Sequence, residues 1–466
     1  MKKVFIFITL LVFILSGCSE EDNEKELTSN NLVEEAIEQN EREDKNEVTI
    51  AIWEDDYRYY TEEFEMLNYE INKIEKEAGI KVKYDIIEGE TQEEFFKKLN
   101  TKLYLDRGPT LIYLCETPIK IYTDSGVALK LKGKVENLDK IYDSIKDRDD
   151  YFVPIGMKTH SLLITREEFD YLGIKEPKYD WSWSDYTSIR DKWIDKNEVK
   201  LRRHFIKDIY DYKINQLDII DMENKKANIN TEEMKKCIKD LRSEFLGGKY
   251  ILPKNFKQKD YYNAYFTTES VKRQKDTDYK SFIKYHPDYI FSELIETELH
   301  AFVVDKRMKE NKIVVSNVMN EDKNVSLGGF LVNRNGENIE LGTKLINYLL
   351  SDDMQMRLYN SSRKPFMLSF YPVNKDIEEK IRVLEKNQKL SQEALELKEY
   401  LLEKIKSGEN KPKLTYEDQN MSIYILKDKL YKDIFKLVFA DEEYNDSKLE
   451  RKLQELENQY NIYLNE

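Results

Sequence analysis

Apolar residues along this chain recur at two spacings, and the change from one to the other marks its elements. Val48-Thr49-Ile50-Ala51-Ile52-Trp53 is β-rich and almost continuously apolar, the pattern of a buried strand. Phe64, Leu67, Ile71 and Ile74 then recur every three or four residues and predict a helix that Gly79 ends. Residues 80–86 alternate like a second strand. Phe95, Leu99 and Leu103 share one face of a helix over 91–104, and Gly108-Pro109 turns the chain into a third strand, Leu111-Ile112-Tyr113-Leu114. Strand, helix, strand, helix, strand implies crossover connections and a mostly parallel sheet, hence an α/β fold. Farther on, 151–156, 161–165, 313–315 and 325–332 read as extended. Residues 181–281 read as mainly helical, 341–359 as one amphipathic helix, and 375–405 and 426–464 as long helices.

The N-terminal pattern is different. Lys2 and Lys3 precede an apolar run from Val4 to Leu15 that only Thr9 breaks. A membrane-spanning helix needs about 20 apolar residues. A charged start, a shorter apolar stretch and a small-residue end make a secretory signal. From Ser19 to Glu47 there are 12 acidic and three basic residues, too polar to offset the entropy of ordering, so a disordered, self-repelling spacer is expected. The formal net charge of −15 argues against a nucleic-acid partner, which needs basic faces to neutralise phosphates. Cys115 and Cys237 give no disulfide framework. His160, His204, His286 and His300 lack ligand-like spacing, and there is no phosphate-cradling glycine loop or G-x-S-x-G elbow. No metal, no cofactor and no enzymatic activity are therefore expected.

Leu15-Ser16-Gly17-Cys18, directly behind the apolar run, resembles a bacterial lipobox. The resemblance implies cleavage behind Gly17 and a diacylglyceryl thioether on Cys18. Two acyl chains anchor a protein stably, each buried CH₂ contributing about 0.8 kcal/mol. The implied location is the outer face of a cell membrane, and a chain rich in Lys, Glu, Asn, Ile and Tyr suggests a low-GC Gram-positive source.

Several segments, in order, resemble the family 1 extracellular solute-binding proteins of ABC importers. Gly108-Pro109-Thr110-Leu111-Ile112-Tyr113 is similar to the family's GPDLIY strand, with Thr110 in place of Asp. Tyr151-Phe152-Val153-Pro154-Ile155-Gly156 resembles its first lobe crossover. Trp181-Ser182-Trp183-Ser184-Asp185-Tyr186 resembles its WTWdEy segment. Gly328-Gly329-Phe330-Leu331-Val332 resembles the return strand, residues 345–355 the fikfLlSeeaQ helix, and Tyr371-Pro372-Val373-Asn374-Lys375 the lPvnk segment. The resemblance implies a two-lobe, periplasmic-binding-protein-like fold of type II, with mixed sheets flanked by helices and a hinge crossed three times. The expected division is a signal peptide at 1–17, the lipidated cysteine and linker at 18–46, an N-terminal lobe of 47–152 with 328–374, and a C-terminal lobe of 153–327 with 375–466. The implied function is a monomeric, lipid-anchored receptor. It captures a small solute, a carbohydrate above all, between its lobes and delivers it to ABC permease subunits. The alternative is a surface lipoprotein of the same fold acting as a sensor accessory or interaction module.

Ligands of open α/β sheets bind outside the carboxyl ends of the strands, which selects the candidate binding residues. Trp53 ends the first strand and offers an indole for stacking, against the reading of a core aromatic capping the sheet. Asp55 and Asp56 follow it on an expected loop. Glu116 ends the third strand beside Cys115, whose thiol reads as buried and inert rather than as a nucleophile. Gly156 and Lys158 follow the first crossover, Gly156 permitting close approach or serving the hinge. Gly329 offers backbone toward the cleft or bends the sheet. Arg363 and Tyr371 precede the third crossover. Trp181 and Trp183 flank Ser182 and Asp185, a spacing close to a capping box, so they are assigned to packing a helix start.

Overall fold

Long apolar runs become central strands here because helices cover both faces of the sheet they join. The computed structural model describes residues 46–59, 76, 79–89, 92–105, 107–179, 182–197, 201–202, 206–221, 224–251, 257–266, 293–295, 299–316, 324–361, 370–413, 415–416 and 421–465. Cys18 and its flanking signal and linker, the expected helix around 64–74, Trp181 and Arg363 lie outside them. Among the described residues there are thirteen strands: β1 (Glu47–Trp53), β2 (Lys81–Ile87), β3 (Leu111–Cys115), β4 (Phe152–Lys158), β5 (Ser161–Thr165), β6 (Leu201–Arg202), β7 (Ile220–Asp221), β8 (Lys226–Ala227), β9 (Tyr250–Ile251), β10 (Glu293–Ile295), β11 (Lys312–Ser316), β12 (Ser326–Val332) and β13 (Tyr371–Pro372).

The larger sheet has the order β13-β4-β12-β3-β1-β2. β1 and β3 are parallel, as the alternating strand–helix pattern predicts. β12 runs antiparallel to both β3 and β4, and β13 antiparallel to β4, so the sheet is mixed rather than mostly parallel. The reason is one of entry: β12 and β13 come into the sheet from the edge at which β1, β3 and β4 leave it. All seven residues of β12 are buried.

A second sheet, β10-β5-β11, is antiparallel throughout. Its strand β5 divides its side chains with a period of two. Leu162 and Ile164 enter one core with Phe169, Tyr210 and Phe435, while Leu163 joins the core of the larger sheet. The whole of β4 pairs within the larger sheet, so the chain leaves it after Lys158, six residues beyond the expected boundary at 152. It returns at Ser326 and crosses a third time between Lys406 and Met421. Residues 375–466, expected in the C-terminal lobe, divide between the cores. Ile381, Leu397, Leu402 and Ile405 bury in the first, whereas Leu430, Ile434, Leu449 and Leu453 bury in the second.

The helix expected over 341–359 is two, Ile339–Leu349 and Asp352–Ser361. Ser351 interrupts them: its hydroxyl accepts from the Met354 amide at 3.3 Å, and Asp352 and Asp353 occupy the next first turn. The long helix over 375–405 is likewise broken, into Glu378–Asn387 and Gln392–Lys406, with Lys389 left-handed (φ 54°) between them and Ser391 capping the second at Ala394. The Ser182–Asp185 capping box forms as read: the Asp185 amide donates to Ser182 Oγ at 3.1 Å, and the Ser182 amide donates to Asp185 Oδ2 at 2.9 Å.

At the break between helices 339–349 and 352–361, fully buried Gln355 joins three elements. Its amide donates to Ile155 O of β4 (3.1 Å) and to Leu349 O (2.9 Å), and its carbonyl accepts from Val373 N (2.9 Å). Each buried backbone group left without a partner costs about 1–3 kcal/mol. Gln355→Leu is therefore expected to lower unfolding stability by about 3 kcal/mol or more in urea titration. A loss below about 1 kcal/mol contradicts this account of the residue.

Candidate functional site

The strand directions bring one end of β1, β3 and β4 to a single edge of the larger sheet, where β12 and β13 begin. Cα register sets Ser326 beside Lys158, Gly328 beside both Cys115 and Gly156, and Tyr371 beside Met157. Glu116, Gly156, Lys158 and Tyr371, proposed from sequence, are thereby neighbours, with Gly329 one position farther along β12.

Glu116 leaves β3 in the left-handed region (φ 52°), and its Oε1 accepts from the Ser326 hydroxyl. Left-handed backbone is uncommon for a non-glycine residue, and such positions cluster at functional sites. Lys158 is buried (1% exposed), with its ammonium 5.4 Å from the centroid of the Phe370 ring.

Phe370 is what the two strand glycines are for. A Cβ on Gly156 would stand 2.6 Å from Phe370 Cβ. One on Gly328 would stand 2.8 Å from Phe370 Cζ and 2.6 Å from Tyr113 Oη. The ring lies where those side chains would be. Gly329 is crowded by backbone instead, a Cβ there falling 2.3 Å from Val153 O, and the β4–β12 register shifts between Gly328 and Gly329. Sequence reading missed Phe370. The available signal was two glycines on adjacent strands, a pair that an aromatic side chain covers well.

Trp53 is half-buried. Its indole N–H donates to Gly89 O at 3.2 Å, and its ring stacks on Phe95 at 5.7 Å and 21°. Its polar atom is thus engaged within the protein. Asp55 and Asp56 sit not on a loop but in the first turn of a helix, Glu54–Tyr59, where carboxylates complement the helix dipole. Asp56 is half-buried, and the side chain of Asp55 is outside the described residues. Tyr371 is buried and packs edge-on to Tyr359 (5.8 Å) and His300 (5.7 Å). Its hydroxyl has no hydrogen-bond partner among the described residues, and burial pushes its pKa well up. Trp183 stacks on Tyr212 at 4.6 Å, as a packing residue does.

Behind the edge, fully buried His300 stacks on Tyr359 (5.4 Å, 22°), and its Nε2 lies 3.2 Å from Phe370 O. As the neutral tautomer protonated at Nε2, it donates to that carbonyl. Tyr359 in turn donates to Glu385 Oε1 (2.6 Å), and the fully buried ammonium of Lys398 meets Glu385 at 2.8 Å and Glu399 at 2.9 Å.

Glu378, Glu399 and Glu403 bring carboxylate oxygens within 4.8 Å of one another. Cations already answer them: Arg382 lies 2.6 Å from Glu378 and 2.9 Å from Glu399, and Lys406 lies 2.6 Å from Glu403. Cys115 and Cys237 are free thiols in different cores, and burial raises Cys237 to about 11. The edge brings together a carboxylate, a hydroxyl, an ammonium and an aromatic ring, with Lys158 and Ser326 buried behind it, a set of groups of the kind that recognises a polyhydroxylated molecule.

No protein-family model matches the chain, and no curated protein matches it in sequence. Solved structures do. An ABC substrate-binding protein from Listeria monocytogenes in complex with cycloalternan superposes with TM-score 0.55 over 90% of this chain and 99% of that one, at 16% identity. The GacH receptor of Streptomyces glaucescens, described unliganded and with acarbose, gives 0.55 over 90% and 99% at 13%. This chain has the fold of ABC solute-binding proteins. A solute-binding protein from Thermotoga lettingae bound with α-D-tagatose shares the same binding-protein fold, with TM-score 0.53 over 90% and 100% at 15% identity. The three alignments take in 99–100% of each of those chains.

Burial holds His300 at about 4, below the usual histidine value of about 6.5. Between those values the unfolded chain binds a proton that the folded chain refuses, so stability falls as pH drops through this window, by roughly 3 kcal/mol in all. His300→Gln keeps an amide donor for Phe370 O and removes the titration. Its stability between pH 6.5 and 4 is expected to fall less steeply than that of the unsubstituted protein. Parallel curves for the two proteins overturn this.

Proposed function

We propose that this protein is a carbohydrate receptor of an ABC importer. The observation that carries the reading is the superposition, over nearly their whole length, with solute-binding proteins whose bound molecules include cycloalternan and tagatose. The placement of Glu116, Ser326, Lys158 and Phe370 at one sheet edge supports it. In this reading the ligand lies against that edge: Phe370 supplies an apolar ring for a sugar face, and Glu116 and Ser326 exchange their mutual bond for sugar hydroxyls. Trp53 contributes the rest of its indole surface.

The protein performs no chemistry on the ligand. Binding favours the closed arrangement of the lobes, which the membrane permease recognises. The chain is held at the outer membrane face through lipid on Cys18, with residues 19–46 as the spacer. Among the described residues no helix is long and apolar enough to cross a membrane.

A thermal-shift screen of residues 47–466 against mono- and oligosaccharides, amino acids, polyamines and vitamins tests the reading. A ligand at 100 times its dissociation constant stabilises the folded state by about 2.7 kcal/mol. The expected hit is a saccharide whose affinity falls about tenfold or more in Phe370→Ala and in Glu116→Gln. A folded protein silent to every saccharide, or a saccharide response that both substitutions leave intact, overturns the assignment.

A further inference from the structure

A second groove has a lining that shares no residue with the strand edge just described. It runs between the loop 143–151, the start of the short helix Lys120–Asp124 and the segment 406–416, and encloses about 960 Å³. Its floor is fixed. Tyr416 Oη donates to Ile145 O at 2.7 Å, and Asp147 accepts from the amides of Tyr151 (2.7 Å) and Phe152 (2.9 Å). Segment 406–416 is tied down from the other side by bonds from Val325 N to Lys411 O (2.8 Å) and from Ile119 N to Thr415 O (3.0 Å).

The charge of its lining runs against the chain. Lys120, Lys146, Arg148, Lys406, Lys411 and Lys413 line it, against Asp143, Asp147 and Asp149, so the lining carries six positive and three negative charges. The whole chain has 90 acidic and 75 basic residues. The carboxylates are also largely engaged elsewhere: Asp143 pairs with Lys375 at 3.2 Å, and Asp147 is held by backbone amides, leaving Asp149. Of the cations, Lys120 pairs with Asp124, Lys146 with Asp150, and Lys406 with Glu378 and Glu403. Arg148 and Lys411 form no ion pair among the described residues.

One further group lacks a partner. The hydroxyl of Ser144, in the lining, is buried without a hydrogen bond among the described residues. A buried hydroxyl left unmet costs free energy unless something in the groove meets it. A guanidinium fork, an ammonium and a hydroxyl are donors of the kind a tetrahedral oxyanion accepts from, several directions at once. Tyr151 and Tyr416 flank them with ring surface for an organic substituent.

We propose that this groove binds a phosphate ester or phosphodiester, with Arg148 and Lys411 as its charge contacts and Ser144 as a hydrogen-bond donor. Its lining shares no residue with the carbohydrate edge, and the proposal does not rest on that edge.

The test is isothermal titration of the full chain at low ionic strength with pyrophosphate and with glycerol 1-phosphate. It is repeated on the Arg148→Gln/Lys411→Gln double variant, whose substituted side chains are exposed, and on Ser144→Ala. Binding that weakens tenfold or more in the double variant, and falls as salt is raised, supports the proposal. Thermal unfolding of each variant controls for folding. Absence of binding to both probes, or equal affinity in the folded double variant, overturns it. Flotation with phosphatidylglycerol and phosphatidylcholine vesicles separates two sources of the same chemistry. Recruitment to the anionic vesicles that the double substitution abolishes assigns a lipid headgroup. Phosphate binding without that difference assigns a soluble ester.

Discussion

A chain that enters and leaves one sheet repeatedly must satisfy backbone groups wherever its regular pairing stops, and buried side-chain amides do this work here. Gln355 ties β4, the end of helix 339–349 and the chain beyond β13. Asn374 repeats the device one turn on, donating to Leu350 O (2.9 Å) while accepting from Asp376 N (2.9 Å). Asn333, past the end of β12, donates to Pro109 O (3.0 Å) and accepts from Asn335 N (3.1 Å). Each bonds backbone groups where a strand or helix gives out, and each is buried. In a low-dielectric interior such bonds are strong and their loss is costly, so they fix a single path for the chain.

The same economy explains the ionic cluster beneath β13. A fully buried ammonium is tolerated only when paired and hydrogen-bonded, and Lys398 meets both Glu385 and Glu399. Arg382 then pairs with Glu399 and Glu378. The cluster locks helices 378–387 and 392–406 together. Helix 392–406 in turn packs on helix 301–309, which His300 opens. Tyr359 links the two ends, stacking on His300 and bonding Glu385.

Much of this architecture was legible in the sequence. β1, β2, β3, β5, β11 and β12 carry periodicities strong enough to place them within a residue or two, and the Ser182–Asp185 box announced its own hydrogen bonds. What the pattern did not carry was direction. β12 reads as a buried strand whichever way it runs, and only the path from β11 makes it antiparallel. Helix continuity failed for a related reason: apolar spacing over 341–359 is unbroken across Ser351, and the break is set by a hydroxyl cap that periodicity does not register. At the site, residue types at strand ends were visible, as with Glu116 and Lys158, but their uses were not. Trp53 read as a stacking platform because its bond to Gly89 is formed with a residue 36 positions away. Phe370 was overlooked because its importance lies in the absence of side chains on Gly156 and Gly328.

In the proposed function that absence links recognition to movement. Lys158 is the last residue of β4 before the first crossing, Ser326 the first of β12 after the second, and Phe370 immediately precedes β13. The residues proposed to meet a ligand are therefore those at which the chain passes out of and into the larger sheet. A ligand that replaces the Glu116–Ser326 bond, or bears on the Phe370 ring, acts on backbone at the crossings themselves. It shifts the balance of open and closed forms only by its difference in affinity for the two. In the proposed reading, contacts placed at the crossings are the ones that lobe closure changes. Glycines at 156 and 328 seat the ring against backbone, so its position follows the path of the strands, and the recognition proposed at this edge is bound to their geometry.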